Sequence, residues 1–192
     1  FTPLRNREMK VIDFAAHFDY PQIRAAANAQ IDWMLNLISD LTDADIIFDP
    51  IDPDANDPHA VEGEEKIGWS IAHMIAHVTS STEEWATYSS ILARGIPYPP
   101  EPRLRYETAW RDITTKAQAV QRLEESRRMR LGYLDTWPDT PDLTMKRELS
   151  ERFIEVFGEF NAPACILFGM SHEAGHFDQM AEAKRQALAA RG

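Results

Sequence analysis

Residues 69–78, with the sequence WSIAHMIAHV, place two histidines four positions apart at the start of a long helical pattern. The same H-x-x-x-H spacing returns at residues 172–176, in the sequence HEAGH. In an α-helix, four residues turn the side chain by about 40° and advance it by about 6 Å, so both imidazoles of a pair share one face. Two such pairs on two helices predict that imidazoles from distant parts of the chain meet at one metal ion.

The apolar residues recur at spacings of three and four along most of the chain, which predicts helices. Asp19, Ser70 and Asn161 are suited to be N-caps of three of them. A further short helix is expected between residues 143 and 160. The four long helices are expected at residues 21–41, 69–94, 106–136 and 161–190.

The long helices are separated by segments rich in proline and charge. Residues 43–65 hold three prolines among many aspartates, which predicts a long acidic loop. Residues 1–20 form an N-terminal extension. We therefore expect residues 1–192 to be one all-α domain, a four-helix bundle with long loops.

Composition and charge exclude several classes of protein. The chain has 192 residues, of which 44% are hydrophobic and 27% charged, as in ordinary globular domains. Acidic residues outnumber basic ones by 31 to 20, and the net charge of −11 disfavours a nucleic-acid partner. No apolar run approaches the roughly 20 residues that span a bilayer, so no membrane partner is expected.

Cysteine usage and the N-terminal sequence point to a cytoplasmic protein. Cys165 is the single cysteine, so no internal disulfide forms, and a small buried thiol is the expected role. The N-terminal extension lacks the apolar core of a signal peptide.

The two histidine pairs differ in how they meet the apolar faces of their helices. His77 lies beside the core stripe, and His172 and His176 share a face with Cys165. These three histidines are the predicted metal ligands. His73 stays open: a fourth ligand would close the site as in structural zinc centres, whereas three leave a position for chemistry.

Other charged residues have less specific patterns. Glu84, seven residues after His77, returns to the same face and is the candidate proton acceptor or ligand-orienting carboxylate. The arginines at 122, 127, 128 and 130 are expected to form the solvated face of the third helix.

The HEAGH segment also matches the H-E-x-x-H string of zinc hydrolases, in which the glutamate is the general base. No third histidine follows His176, and Glu173 lies about 100° round the helix from His172. A hydrolase would require Glu173 to face the metal, and this is the least favoured alternative.

The sequence resembles the DinB/YfiT-like superfamily of metal-binding four-helix bundles. The resemblance is carried by Trp69 and Ser70 at the start of the second helix, by His77, and by a C-terminal H-x-x-x-H followed by Gln179. It implies an up-down-down-up bundle with a divalent metal ion held by the three histidines. It does not identify the metal, which could be Zn, Ni, Fe or Mn.

The resemblance also implies an activity. Family members of known function use the metal to activate a low-molecular-weight thiol such as bacillithiol, mycothiol or glutathione, and many are homodimers. The chain is therefore expected to be a metal-dependent thiol S-transferase acting on a small-molecule substrate. The alternative from another class is a non-enzymatic bundle whose metal is structural or regulatory.

Overall fold

The computed structural model describes residues 1–57 and 60–191, and the regular secondary structure in that part of the chain is all helical, as predicted. In chain order the elements are α1 (Thr2–Arg5), α2 (Val11–Ala15), α3 (Tyr20–Leu37), α4 (Asp43–Ile46), α5 (Ile71–Ala93), a 3₁₀ turn (Trp110–Asp112), α6 (Lys116–Asp135), α7 (Glu151–Phe157), α8 (Ala162–Gly175) and α9 (Phe177–Ala190).

Side chains at the predicted N-cap positions begin three of the long helices. Asp19 accepts a hydrogen bond from the backbone N–H of Gln22 at 2.8 Å, which starts α3. Ser70 does the same for α5 and Asn161 for α8. Each cap satisfies a backbone donor that the first helical turn leaves unpaired.

The predicted start of the third helix was wrong. Thr115 and Gln118 form a reciprocal capping box, and α6 therefore begins at Lys116 rather than at residue 106. The preceding segment, residues 103–109, is non-helical and places Arg105 and Glu107 against α5.

The first and last predicted helices were also too long. α3 ends at Leu37, and the predicted acidic loop contains the short helix α4. The C-terminal helix is interrupted at His176, which ends α8 and precedes α9. Because a cap residue has fewer helical neighbours, His176 is freer to turn toward α5 than a residue inside a continuous helix.

The long helices enclose two groups of buried apolar side chains. α5 packs against α6 and α8, and α3 packs against the same two helices. The N-terminal helices α1 and α2 lie against α8. One apolar group surrounds Trp85 and Phe160, and the other surrounds Met34 and Met74.

No single helix in the described ranges is long and apolar enough to cross a membrane. The α7 segment and the α8–α9 segment reach that length and composition only as a pair, and the pair is bent by 78°.

The contact between α5 and α8 depends on a glycine. A Cβ atom at Gly169 would lie 2.9 Å from Trp85 Cβ and 3.1 Å from Thr82 Cα, both of which belong to α5. Thr82 Oγ1 also donates a hydrogen bond to the Gly169 carbonyl at 3.1 Å. The absence of a side chain at Gly169 therefore permits the close approach of α5 and α8.

We expect Gly169→Ala to lower the free energy of unfolding by about 1–3 kcal/mol, because the added methyl group must push α5 away from α8. Gly132→Ala is the matched control, since a Cβ there meets nothing within 4 Å in the last turn of α6. It should raise stability by about 0.5–1 kcal/mol. Urea unfolding measures both changes, and equal effects of the two substitutions would contradict the close contact.

Candidate metal centre

Three histidines from two helices converge at one point. His77 from α5, His172 from α8 and His176 from the end of α8 each present a ring nitrogen, and the three nitrogens lie within 4.8 Å of one another. The ring centroids are 5.0–5.3 Å apart. Three imidazoles at this separation could hold one metal ion.

The spacing of the nitrogens suits a tetrahedral metal. His77 Nε2 and His172 Nε2 are 3.4 Å apart. Two nitrogens at about 2.0–2.1 Å from a tetrahedral ion are separated by about 3.3–3.4 Å. His172 Nδ1 is buried and has no hydrogen-bond partner in the described residues. Within the described residues, the contact with His77 Nε2 is therefore the hydrogen-bonding contact of this ring.

Polar neighbours orient two of the rings. His176 Nδ1 lies 2.9 Å from Gln179 Oε1, which fixes the proton on Nδ1 and leaves the lone pair on Nε2. His77 Nδ1 lies 3.1 Å from Arg105 Nη2 and 3.8 Å from Glu107 Oε2. Metal binding through Nε2 of neutral His77 requires a hydrogen on Nδ1. Glu107 can accept the hydrogen bond from this N–H, whereas Arg105 cannot because its guanidinium only donates.

The surroundings keep the imidazoles of His172 and His176 neutral. Burial, aided by the charges of the neighbouring histidines, lowers the pKa of His172 to about 3. Burial likewise lowers the pKa of His176, despite its hydrogen bond to Gln179. Neutral imidazoles with free lone pairs are the form that binds metals.

His73 lies outside the three-histidine cluster. Its ring is stacked between two tryptophans, with centroid distances of 4.2 Å to Trp69 and 4.8 Å to Trp110. Burial lowers its pKa to about 4. Trp69 also contacts His77 and His176, so one indole covers both the cluster and His73.

The acidic segment covers the cluster. A cavity of about 410 Å³ opens on His77 and His73, and its walls include Asp49, Val61 and Glu64 from this segment. A smaller cavity beside His176 and Gln179 is lined by residues 52–57. The segment is held close at Gly68, where a Cβ atom would overlap the Pro50 carbonyl oxygen at 2.0 Å.

Glu84 is buried and belongs to a separate cluster two turns along α5. Its carboxylate accepts a hydrogen bond from Arg103 Nε at 2.9 Å and lies 3.8 Å from Arg147 Nη2. Tyr88 contacts the same oxygen at 3.4 Å. Its predicted part as a proton acceptor stays a prediction, and Glu107 is the carboxylate that lies beside His77.

The position of Glu173 contradicts the hydrolase alternative. Both carboxylate oxygens accept hydrogen bonds from Arg130, at 3.0 and 2.8 Å, and both side chains are completely buried. Thr82 donates to the same carboxylate at 3.2 Å. Glu173 therefore faces α5 and α6 rather than the histidines, so it cannot be the base of an H-E-x-x-H hydrolase.

The expectation for the basic run of α6 was wrong for two of its members. Arg122 pairs with Glu83 and Arg130 with Glu173, and all four side chains are buried. The apolar pattern of α6 is weak because charged side chains occupy core positions. The pattern therefore does not reveal these buried ion pairs. Cys165 is buried as predicted, and burial raises the pKa of its thiol to about 12.

Sequence reasoning missed three residues at the site. Arg105 lies in the loop expected before the third helix, Glu107 lies in a non-helical stretch that was assigned to that helix, and Trp110 lies in the 3₁₀ turn. The prolines of this region indicated an irregular backbone, but they did not indicate which helix that backbone would contact.

The fold and site define an all-helical protein with an internal three-histidine cluster of a kind that binds metals. A family model described as the DinB superfamily matches residues 48–180, which is more than half of the chain. The chain therefore belongs to the DinB superfamily, as the resemblance predicted. No match was found among curated proteins or among solved structures.

We expect Glu173→Ala to lower the free energy of unfolding by about 3–5 kcal/mol, because it leaves the buried Arg130 guanidinium without a counter-charge. Glu182→Ala, which removes an exposed ion pair with Arg185, should leave stability nearly unchanged. Urea unfolding of metal-free protein measures both. Similar effects of the two substitutions would contradict the buried pair.

We expect His73→Phe to make the stability of metal-free protein less dependent on acid. The unfolded chain protonates His73 near pH 6.5, but the folded protein does so only near pH 4, so the wild type loses stability as pH falls through that window. Phenylalanine keeps the stacking and does not titrate. The measurement is thermal unfolding from pH 7 to pH 4. The unfolding temperature of the variant should rise relative to that of the wild type as the pH falls, and a difference in unfolding temperature that stays constant with pH would refute the assignment.

Proposed function

We propose that this protein binds a divalent metal ion through His77, His172 and His176 and acts as a metal-dependent thiol S-transferase. The observation that carries the proposal is the convergence of three imidazole ring nitrogens within 4.8 Å of one another inside the bundle. Three imidazoles do not select among Zn, Ni, Fe and Mn, so the metal is the one that the cell supplies.

The arrangement of the ligands favours catalysis over a purely structural metal. Structural zinc sites are closed by four protein ligands, whereas catalytic sites keep a position for water or substrate. His73, the nearest further imidazole on α5, is stacked between Trp69 and Trp110. The described residues thus offer three histidines and an adjoining cavity.

A divalent cation at this site supplies one element of chemistry, since it lowers the pKa of a coordinated thiol and so provides a thiolate nucleophile at neutral pH. The protein's own residues do the rest. Trp69, which contacts His77 and His176, excludes water from one side of the cluster. Glu107 and Gln179 hold the rings of His77 and His176, and Glu84 is kept as the proposed proton acceptor.

The remaining features of the proposal follow from the family. We propose one domain of up-down-down-up topology, with residues 1–20 as an extension and residues 43–65 as a loop that covers the site. We also propose a cytoplasmic homodimer that acts on small molecules and not on nucleic acid or membranes. Sedimentation velocity tests the dimer directly.

We expect His77→Ala, His172→Ala and His176→Ala each to lower the affinity for Zn²⁺ or Ni²⁺ by more than about 100-fold, and Gln179→Leu by about 10–100-fold. His73→Phe, the matched control, should leave the affinity nearly unchanged. Competition titration with a chelator measures these constants. Equal losses in His73→Phe and His77→Ala would contradict the three-histidine site.

The activity itself is tested with the same variants. Metal-loaded protein is incubated with bacillithiol, mycothiol or glutathione and an aromatic electrophile such as 1-chloro-2,4-dinitrobenzene. We expect turnover with at least one thiol, its loss in His176→Ala, and a lower kcat in Glu84→Gln with metal still bound. A metal-loaded protein that is inactive with every thiol would favour the structural alternative.

A further inference from the structure

Besides the two cavities lined by the acidic segment, a further cavity lined by the N-terminal extension reaches the histidine cluster. It has a volume of about 370 Å³ and is bounded by the N-terminal extension, α7 and α8. His172 and His176 lie at its inner end, whereas His77 lines the cavity under the acidic segment. Its walls are mostly apolar and are formed by Leu4, Met9, Val11, Val156, Phe157 and Phe168.

This cavity and the cavity at His77 are lined by groups of opposite net charge. The cavity at His77 is lined by four carboxylates and three arginines. The lining of the cavity beside the N-terminal extension holds Arg5 and Arg7 and no carboxylate, in a protein whose net charge is −11. No ion pair in the described residues involves either arginine.

The chain holds these arginines at the cavity by a costly local conformation. Arg7 has a φ of 59°, in the left-handed region that a residue of this kind rarely adopts. Its guanidinium lies 5.9 Å from the ring centroid of Phe157, a wall residue. Lys10 Nζ donates a hydrogen bond to the Val156 carbonyl at 3.0 Å, which ties the extension to α7.

We propose that this cavity binds a small carboxylate with an apolar or aromatic body, and that this molecule is the electrophilic co-substrate. One carbon of its apolar body carries a leaving group such as a halide; the thiolate sulfur forms a bond to that carbon as the carbon–halogen bond breaks, and the halide leaves with the bonding electron pair. The carboxylate pairs with Arg5 and Arg7 at the mouth, and the apolar body lies against Phe157 and Phe168 and reaches toward His172 and His176. Arginine suits this purpose because its planar guanidinium forms paired hydrogen bonds with a carboxylate.

The cavity at His77 and the cavity beside the N-terminal extension are separate, and both contact the histidine cluster, so two substrates can meet there. Low-molecular-weight thiols are polar, and the charged cavity at His77 suits them better than apolar walls do. The anionic, apolar partner would enter from the cavity beside the N-terminal extension. The assignment of this ligand as a co-substrate rests on the proposed function, but its binding does not.

Binding is tested on metal-free protein with three probes that differ at one end: 4-phenylbutyrate, 4-phenylbutan-1-ol and 4-phenylbutylamine. We expect the carboxylate to bind more tightly than the alcohol by about tenfold or more, and the amine to bind least. Isothermal titration calorimetry measures the affinities. Equal affinity for acid and alcohol, or no binding by the acid, would overturn the proposal.

The double variant Arg5→Gln/Arg7→Gln tests the residues. It should abolish the preference for the carboxylate, whereas Arg128→Gln/Arg185→Gln, which removes the same charge from exposed positions elsewhere, should keep it. Arg5→Lys/Arg7→Lys should restore part of it. A preference that survives in the glutamine variant would refute the assignment to these arginines.

Methionine methyl signals locate the bound probe. In protein labelled with ¹³C-methyl methionine, 4-phenylbutyrate should shift the signal of Met9, a wall residue, and leave that of Met129 on exposed α6 unchanged. A shift of Met129 without Met9 would place the probe elsewhere. Because no metal and no turnover are involved, a negative result here and a failure of the transferase assay are separate outcomes.

Discussion

The close contact between α5 and α8 is the constraint on which the site depends. Gly169 lets the two backbones approach, and the buried pair of Arg130 and Glu173 joins α8 to α6 at the same level. Within this frame His77 faces His172 across the helix contact, with 3.4 Å between their Nε2 atoms. A displacement of either helix by one ångström would separate nitrogens that one ion must reach together.

The chain places charge and aromatic rings where they serve different purposes. Buried ion pairs, such as Arg130 with Glu173, lie in the body of the bundle. Trp69 instead contacts His77 and His176, and burial lowers the pKa of His172 and His176. Glu173 and His172 are adjacent in sequence, yet one belongs to the structural network and the other to the candidate metal centre.

The sequence predicted the parts of the molecule that depend on local chemistry. Ser70 and Asn161 cap their helices as their side chains indicate, and the H-x-x-x-H spacing at the end of α8 lets His172 and His176 face one point, where His77 from α5 meets them. What it could not predict depends on contacts between distant segments. Arg105 and Glu107 reach His77 along an irregular path, and the burial of Arg122 and Arg130 depends on carboxylates supplied by α5 and α8.

The N-terminal extension illustrates the same limit. Nothing in residues 1–10 distinguishes Arg5 and Arg7 from ordinary surface arginines, and only the packing of α1 and α2 on α8 brings them to a cavity that ends at His172. The extension lies outside residues 48–180, the part that matches the family model. It is therefore the part of the chain best suited to give this member a ligand preference of its own.

The central claim is that imidazoles from α5 and α8 share one metal ion. X-ray absorption spectroscopy of protein loaded with one equivalent of Zn²⁺ tests it most directly. The account predicts a first shell of three imidazole nitrogens at about 2.0 Å with one further light atom that is not imidazole. A shell dominated by carboxylate oxygen or by sulfur, or one containing four imidazoles, would contradict it.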